Sequence, residues 1–215
     1  AQGRQHARHR RDEHGPDAVA FYGSGQLTTE EYYVANKLAK GFLGTNNFDT
    51  NSRLCMASAV AGYKTSLGSD GPPNSYADID EANCLLLIGT NTADCHPVIF
   101  KRIKKRKQSD PKRVTVISVD PRRTETADFA DLHLPLRPGS DIALLNAMLY
   151  VLNKDGLLDH AFVADHTSGW DGVREIVEAY PPERASAITG LSPEIIVAAA
   201  LRFGRSRAAL TLWSM

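Results

Sequence analysis

The sequence has 215 residues, with 25 Lys plus Arg against 25 Asp plus Glu and 42% hydrophobic residues. That length suits one large domain or two small ones, and the composition is that of a globular chain. Balanced charge gives no global field toward nucleic acid or a membrane surface, and no apolar run reaches the ~18 residues of a bilayer span. The cysteines, Cys55, Cys84 and Cys95, are odd in number and lack a C-x-x-C spacing, which argues against a secreted disulfide scaffold. The opening "AQGRQHARHRRDEHGPD" has no apolar core for a signal peptide and reads as a helical, basic segment over residues 1–17. With no starting Met and a stop at "LTLWSM", the chain reads as a fragment cut at both ends.

In chain order, "AVAFY" (Ala18 to Tyr22) is a short strand broken by "GSGQ". Thr28 or Thr29 then caps a helix with Glu30 and Glu31 in its first turn and Gly44 at its end. "CLLLIGTN" is continuously apolar up to a glycine, the signature of a buried parallel strand. Pro97 opens the helix "PVIFKRIKKRKQ". "RVTVISVDP" is the next strand, ending at Asp120, and "DLHLPL" is a shorter one. "RPGSD" leads into a long amphipathic helix that stops near Gly156. Beyond residue 157 the chain is more helical, with "SPEIIVAAALRFGRS" the clearest element, and "RAALTLWSM" begins a further strand. The alternation predicts an α/β fold of doubly wound parallel sheets with flanking helices. The expected partition is 1–17, an α/β ligand-binding region over 18–156, and a helical segment with the start of a strand over 157–215.

Ligands in such sheets sit beyond the carboxyl ends of the strands. Here those ends carry Gly23, Gly25 and Gln26, then Gly89, Thr90 and Asn91, then Asp120, then Gly139, Ser140 and Asp141. Glycines let backbone N–H groups approach a phosphate or ring, and Asp120 can accept from a ribose hydroxyl or an amino group. A Gly-x-Gly alone is a common tight turn, and most of the dinucleotide fingerprint is missing. Together the strand ends specify only a large polar ligand.

Cys55 lies between the polar "NSRL" and the small-residue run "MASAVAG", which reads as a helix start. It is either a buried apolar cysteine, the commoner case, or a thiolate offered to a soft metal. One thiolate cannot build a tetrahedral structural zinc site, but it can be the single protein ligand of a metal held mostly by another cofactor. His96 has no ligand-spaced partner and reads as a turn residue. Trp170 and Trp213 read as packing. "KRIKKRKQ" lacks the interleaved aromatics of a nucleic-acid surface and reads as a solvated helix face, with docking of an acidic electron donor as the alternative.

The stretches "DTNSRLCMASAVAGYKTSLGSDGPP", "ADIDEANCLLLIGTNTADCHPVIFKRI" and "VISVDPRRTETADFADLHLPLRPGSDIALLNAMLYVL" resemble the bacterial molybdopterin oxidoreductases. They are most similar to the branch of nitrate reductases with a cysteine metal ligand. The resemblance runs from about Ala18 to Met215. It implies the fold of the family's central domains and a Mo-bis(molybdopterin guanine dinucleotide) cofactor, with Cys55 on molybdenum. Met56, where formate dehydrogenases of the superfamily usually place His, would line the substrate funnel. By matching positions, Gln26 and Asn51 would contact the pterin. Gly89, Asn91, Asp94 and Cys95 fall in a cofactor segment, and Ser118, Asp120 and Arg122 would meet a guanosine end. Gly139, Ser140 and Asp141 match another cofactor loop, and Met215 matches a "W-x-M-G" stretch.

The resemblance further implies two-electron reduction of nitrate to nitrite by oxygen-atom transfer, with formate oxidation or a non-catalytic relative as alternatives. Electrons would come from ferredoxin, flavodoxin or a reductase subunit. The family's N-terminal four-cysteine motif for a 4Fe-4S cluster is not in this sequence, nor is its C-terminal nucleotide-closing domain. The chain is therefore expected to be the central part of a longer enzyme, with little turnover by itself. "SDGPP" and "DCHP" resemble assimilatory, cytoplasmic members rather than periplasmic ones, although Asn74 and Ser75 stand where assimilatory members often have cysteine.

Overall fold

The computed structural model describes residues 2–214, without the side chains of residues 2–5, 7, 52 and 53. Met215 lies outside the described residues. The chain packs as two compact units, Ala1–Pro72 and Pro73–Ser214, whereas the sequence reading placed its divisions after residues 17 and 156.

The first unit opens with the helix Gln2–His14 and a tight turn at Pro16–Ala18. The expected strand therefore starts later than Ala18, as β1 (Phe21–Gly23). Thr28 caps the next helix, Thr29–Asn36, in a reciprocal box: Thr28 Oγ1 accepts from the Glu31 N–H, and Glu31 Oε2 accepts from the Thr28 N–H at 2.8 Å. The helix widens into a π-helical stretch, Lys37–Leu43, and ends as expected at Gly44, whose φ of 77° suits only glycine comfortably. β2 (Phe48–Thr50) has no counterpart in the sequence reading, because three residues are too few for a period to show. It pairs with β1 in parallel, Phe21 opposite Phe48, and the two rings sit 6.0 Å apart with Tyr32 edge-on to Phe48. The helix Ser52–Leu67 follows directly.

The second unit contains β3 (Cys84–Ile88), β4 (Thr115–Val119), β5 (Leu132–Leu134) and β6 (Ala209–Trp213). Their order is β5-β4-β3-β6 and every pairing is parallel. Alternate residues face opposite ways. Cys84, Leu86, Ile117 and Val119 pack against Leu144, Met148, Val151 and Ile196 of the helices Asp141–Lys154 and Pro193–Gly204. Leu85, Leu87 and Val116 pack against Ile79 and Ile103, the latter from the helix Pro97–Ser109. With both faces covered, β3 must be apolar throughout, which is why "CLLLI" shows no alternation. This is the expected doubly wound α/β arrangement with parallel sheets and flanking helices. The first strand read from the sequence differs: it belongs to a separate pair, because β2 is its partner. The helices of residues 157–214 are not set apart either: Trp170–Glu178, Pro182–Thr189 and Pro193–Gly204 pack on the Asp141–Lys154 helix within this unit. Among the described residues no single helix is long and apolar enough to cross a membrane.

The basic run on the Pro97–Ser109 helix is not simply a solvated face. The Arg102 guanidinium grips the Asp80 carboxylate and holds its pKa below the ordinary value. Arg106 Nε donates to the Ala82 carbonyl at 2.8 Å. Lys107 Nζ lies 2.8 Å from both oxygens of Asp131, whose Oδ2 also accepts from the Val116 N–H. These cations fasten the helix to the amino ends of the strands beneath it, at residues 80–82, 114 and 131, while Lys101 and Lys105 stay exposed. Replacing Lys107 with Met keeps its stem and leaves Asp131 without its cation; equilibrium urea unfolding is expected to show a loss of about 1–3 kcal/mol.

Candidate cofactor site

In the first unit the carboxyl ends of β1 and β2 stand side by side, Gly23 opposite Thr50. The chain leaves β1 through Ser24, Gly25 and Gln26, and leaves β2 through Asn51 into the Ser52–Leu67 helix. Tyr32 Oη donates to the Ser24 carbonyl at 2.5 Å, and the Gly25 N–H donates to Asn51 Oδ1. Asn51 N–H donates to the Gly23 carbonyl at 3.2 Å. Asn51 thus ties the two strand ends together through backbone and side chain, and its acceptor oxygen is already taken. Gln26 is exposed, with its backbone N–H held by Ser24 Oγ at 3.2 Å.

The helix begins at Ser52 rather than after Cys55, because Asn51 turns the chain. The Leu54 and Cys55 N–H groups both donate to its carbonyl at 2.9 Å. Cys55 therefore sits in the first helical turn, beside the Gln26 loop, with its thiol exposed and Met56 half-buried after it. The buried apolar alternative for Cys55 does not hold in this unit; Cys84 fills that role in the core. Burial pushes the Cys84 thiol up to about 11, whereas Cys55 and Cys95 are both exposed. Among the described residues no group of three or more His, Cys, Asp and Glu could hold a metal ion.

In the second unit the strand order reverses at β3, so the crevice a ligand uses lies beyond the carboxyl ends of β3 and β6. Gly89, the first residue past β3, has φ +58°, and nothing lies within 4 Å of where a Cβ would stand. That position needs glycine for its backbone and leaves room for a ligand against it. Asn91 is half-buried with both ends of its amide bonded to protein: Oδ1 accepts from Thr126 Oγ1 at 3.1 Å and Nδ2 donates to the Asp94 carboxylate. Asp94 and Cys95 are exposed, at the end of the single turn Thr92–Cys95.

Asp120, past β4, is only 6% exposed. Its Oδ1 accepts from the Arg122 N–H at 2.8 Å, and its carbonyl accepts from His133 Nε2 at 2.8 Å. The carboxylate is thereby aimed, with Oδ2 left for a donor. The Arg122 side chain is exposed, its Nε 3.9 Å from that carboxylate. Past β5, Gly139 has φ +79° and open space over its backbone. Ser140 is buried and its Oγ donates inward to the Arg137 carbonyl; Asp141 begins the Asp141–Lys154 helix. Ser118 is not at the edge. It lies within β4, 1% exposed, its hydroxyl facing the side of Leu87 with no partner.

Two clusters result, one in each unit: Gln26, Asn51, Cys55 and Met56; and Gly89, Asn91, Asp94, Cys95, Asp120, Arg122, Gly139, Ser140 and Asp141. The sequence reading missed Tyr32, Thr126 and His133, which contact the loops from neighbouring elements. No local pattern marks them, because each acts on a residue 8 to 35 positions away.

The molybdopterin oxidoreductase family model matches residues 5–212. A nitrate reductase of Synechocystis sp. is 52% identical over 201 residues, covering 94% of this chain and 28% of that protein. A periplasmic nitrate reductase of Desulfovibrio desulfuricans is 46% identical, covering 95% of this chain and 28% of the relative. A formate dehydrogenase alpha subunit of Methanococcus maripaludis is 40% identical, covering 94% and 30%. Acetylene hydratase from Pelobacter acetylenicus superposes with a TM-score of 0.71 at 28% identity, covering 98% of this chain and 28% of that one. The chain thus spans less than a third of the length of each of these relatives. Matched over nearly its whole length and carrying parallel strands whose polar ends face open space, the chain belongs to the molybdopterin oxidoreductase family.

Proposed function

We propose that the chain is the central part of a molybdenum-dependent nitrate reductase that holds a Mo-bis(molybdopterin guanine dinucleotide) cofactor. The observation that carries this reading is Cys55: an exposed thiol in a first helical turn, at the carboxyl edge of a parallel strand pair, with no other ligand cluster among the described residues. A lone soft donor suits a metal whose remaining ligands come from an organic cofactor. The residues of the second unit fit a nucleotide: open backbone at Gly89 and Gly139, and a fixed carboxylate at Asp120.

In this reading Cys55 holds the metal, and Met56 shapes the adjoining approach. Gln26 contacts the pterin, and Asn51 holds the Gln26 loop in place. Gly89, Asp94 and Cys95 border one nucleotide segment, kept in shape by Asn91. Asp120 accepts from an N–H or O–H of the guanosine, and exposed Arg122 screens the phosphates. Gly139 and Asp141 present backbone N–H groups at the start of a 14-residue helix, and Ser140, whose N–H and Oγ both donate to the Arg137 carbonyl, holds that turn. When bound, the cofactor supplies the two-electron oxygen-atom transfer that converts nitrate to nitrite. The protein's part is to bind, orient and tune. A 4Fe-4S cluster and an electron donor such as ferredoxin, flavodoxin or a reductase subunit belong to the whole enzyme. The "SDGPP" and "DCHP" stretches support a cytoplasmic, assimilatory role.

A second reading, formate oxidation, is favoured by the formate dehydrogenase relative. Met56 in place of His supports nitrate.

In the cofactor-free protein, iodoacetamide at pH 8 is expected to label Cys55 and Cys95 but not Cys84, read by peptide mass mapping; loading with molybdenum cofactor protects Cys55. For function, the full gene product and its Cys55→Ser variant are compared for molybdenum content and for nitrate and formate turnover. The expected result is nitrate reduction by the wild type and a drop of at least ~100-fold in the variant, beyond what is usual for losing a ligand's supporting partner. Formate oxidation without nitrate reduction would replace the first reading with the second.

A further inference from the structure

The loop after β3 is held by a side chain from another loop. Thr126 lies in the short helix Glu125–Phe129 after β4 and is 0% exposed. Its hydroxyl donates to Asn91 Oδ1 at 3.1 Å and accepts from the Ala93 N–H at 2.9 Å. Asn91 in turn reaches Asp94 through Nδ2 and, through its carbonyl, receives the N–H groups of Asp94 and Cys95. Next to this, Thr90 Oγ1 and Thr92 Oγ1 are paired at 3.1 Å, both buried. A hydroxyl can donate once while accepting, so a short Ser or Thr side chain meets both demands at position 126 through a single atom.

We infer that Thr126 is a positioning residue for nucleotide binding: a clasp that keeps the loop from Gly89 to Cys95 in the shape that leaves the Gly89 backbone open. This rests on the reading that the strand ends take a guanine nucleotide, and Thr126 acts through Asn91 and Ala93. Removing its hydroxyl takes the partner from a part-buried amide oxygen and a part-buried backbone N–H, so the loop must rearrange to hydrate them. The β3–β4 ladder shares none of these atoms and keeps its register.

The test uses the full gene product, matured in cells and desalted. Guanine nucleotide released by acid is measured per mole of protein, alongside the melting temperature. Thr126→Val is expected to lower guanine content about tenfold, and Thr126→Ser to restore it. Ile103→Val, a fully buried change in the Pro97–Ser109 helix, controls for lost stability and is expected to keep its guanine. Wild-type content in Thr126→Val, or equal loss in the Ile103→Val control, overturns the inference alone. If Thr126→Val does not accumulate, Thr126→Cys decides. Its thiol is a weak donor and a weak acceptor at the same place; reduced guanine content supports the clasp and unchanged content overturns it. A wild type that contains molybdenum but no guanine overturns the nucleotide reading itself, and the inference with it.

Discussion

Parallel pairing at β3 is the constraint on which the second unit depends. β3 is bonded on both sides, to β4 and β6, and covered by helices on both faces. Burial on four sides demands an apolar strand, and Cys84 through Leu87 are each no more than 2% exposed. Because all four strands run the same way, every connection must leave from one edge and return to the other. Gly89, Asp120 and the Gly139–Asp141 loop share an edge for that reason, although 52 residues of chain separate the first from the last. The same logic operates on a smaller scale in β1 and β2, where it brings Gln26 and Cys55 to one end.

The polar groups at these edges divide their labour. Asn51 and Asn91 look like ligand contacts in the sequence, yet each directs its side-chain oxygen to a protein donor, Gly25 N–H or Thr126 Oγ1. Open glycine backbone, the free oxygen of Asp120 and the Cys55 thiol remain available. Loops that must meet a large ligand closely need such internal bracing, since unbraced loops would lose conformational entropy on binding. His133 and Tyr32 serve the same end, holding the carbonyl of Asp120 and that of Ser24 beside Gly25.

The surroundings of the sites are as uneven as their roles. The second unit has two packed clusters on either side of its sheet. In the first unit only Ala39 and Thr45 are buried among the described residues, while Tyr22, Tyr33, Phe42 and Leu54 are each more than 60% exposed.

Much of the fold was legible in the sequence alone. The run "CLLLI", the helix start at Pro97, and the stops at Gly44 and Gly156 record local backbone preference and two-sided burial, which a chain expresses within a few residues. The open glycines and Asp120 were legible too, because strand ends announce themselves by composition. Three things were decided only by tertiary structure. β2 exists because Phe48 meets Phe21, not because three residues prefer a strand. Ser118 turned inward because alternation along β4, set by its neighbours, points its hydroxyl at the covered face. And the functions of Asn91, Thr126 and His133 arise from hydrogen bonds between segments remote in sequence, so no local pattern could carry them; chain topology alone brings those atoms within 3.1 Å.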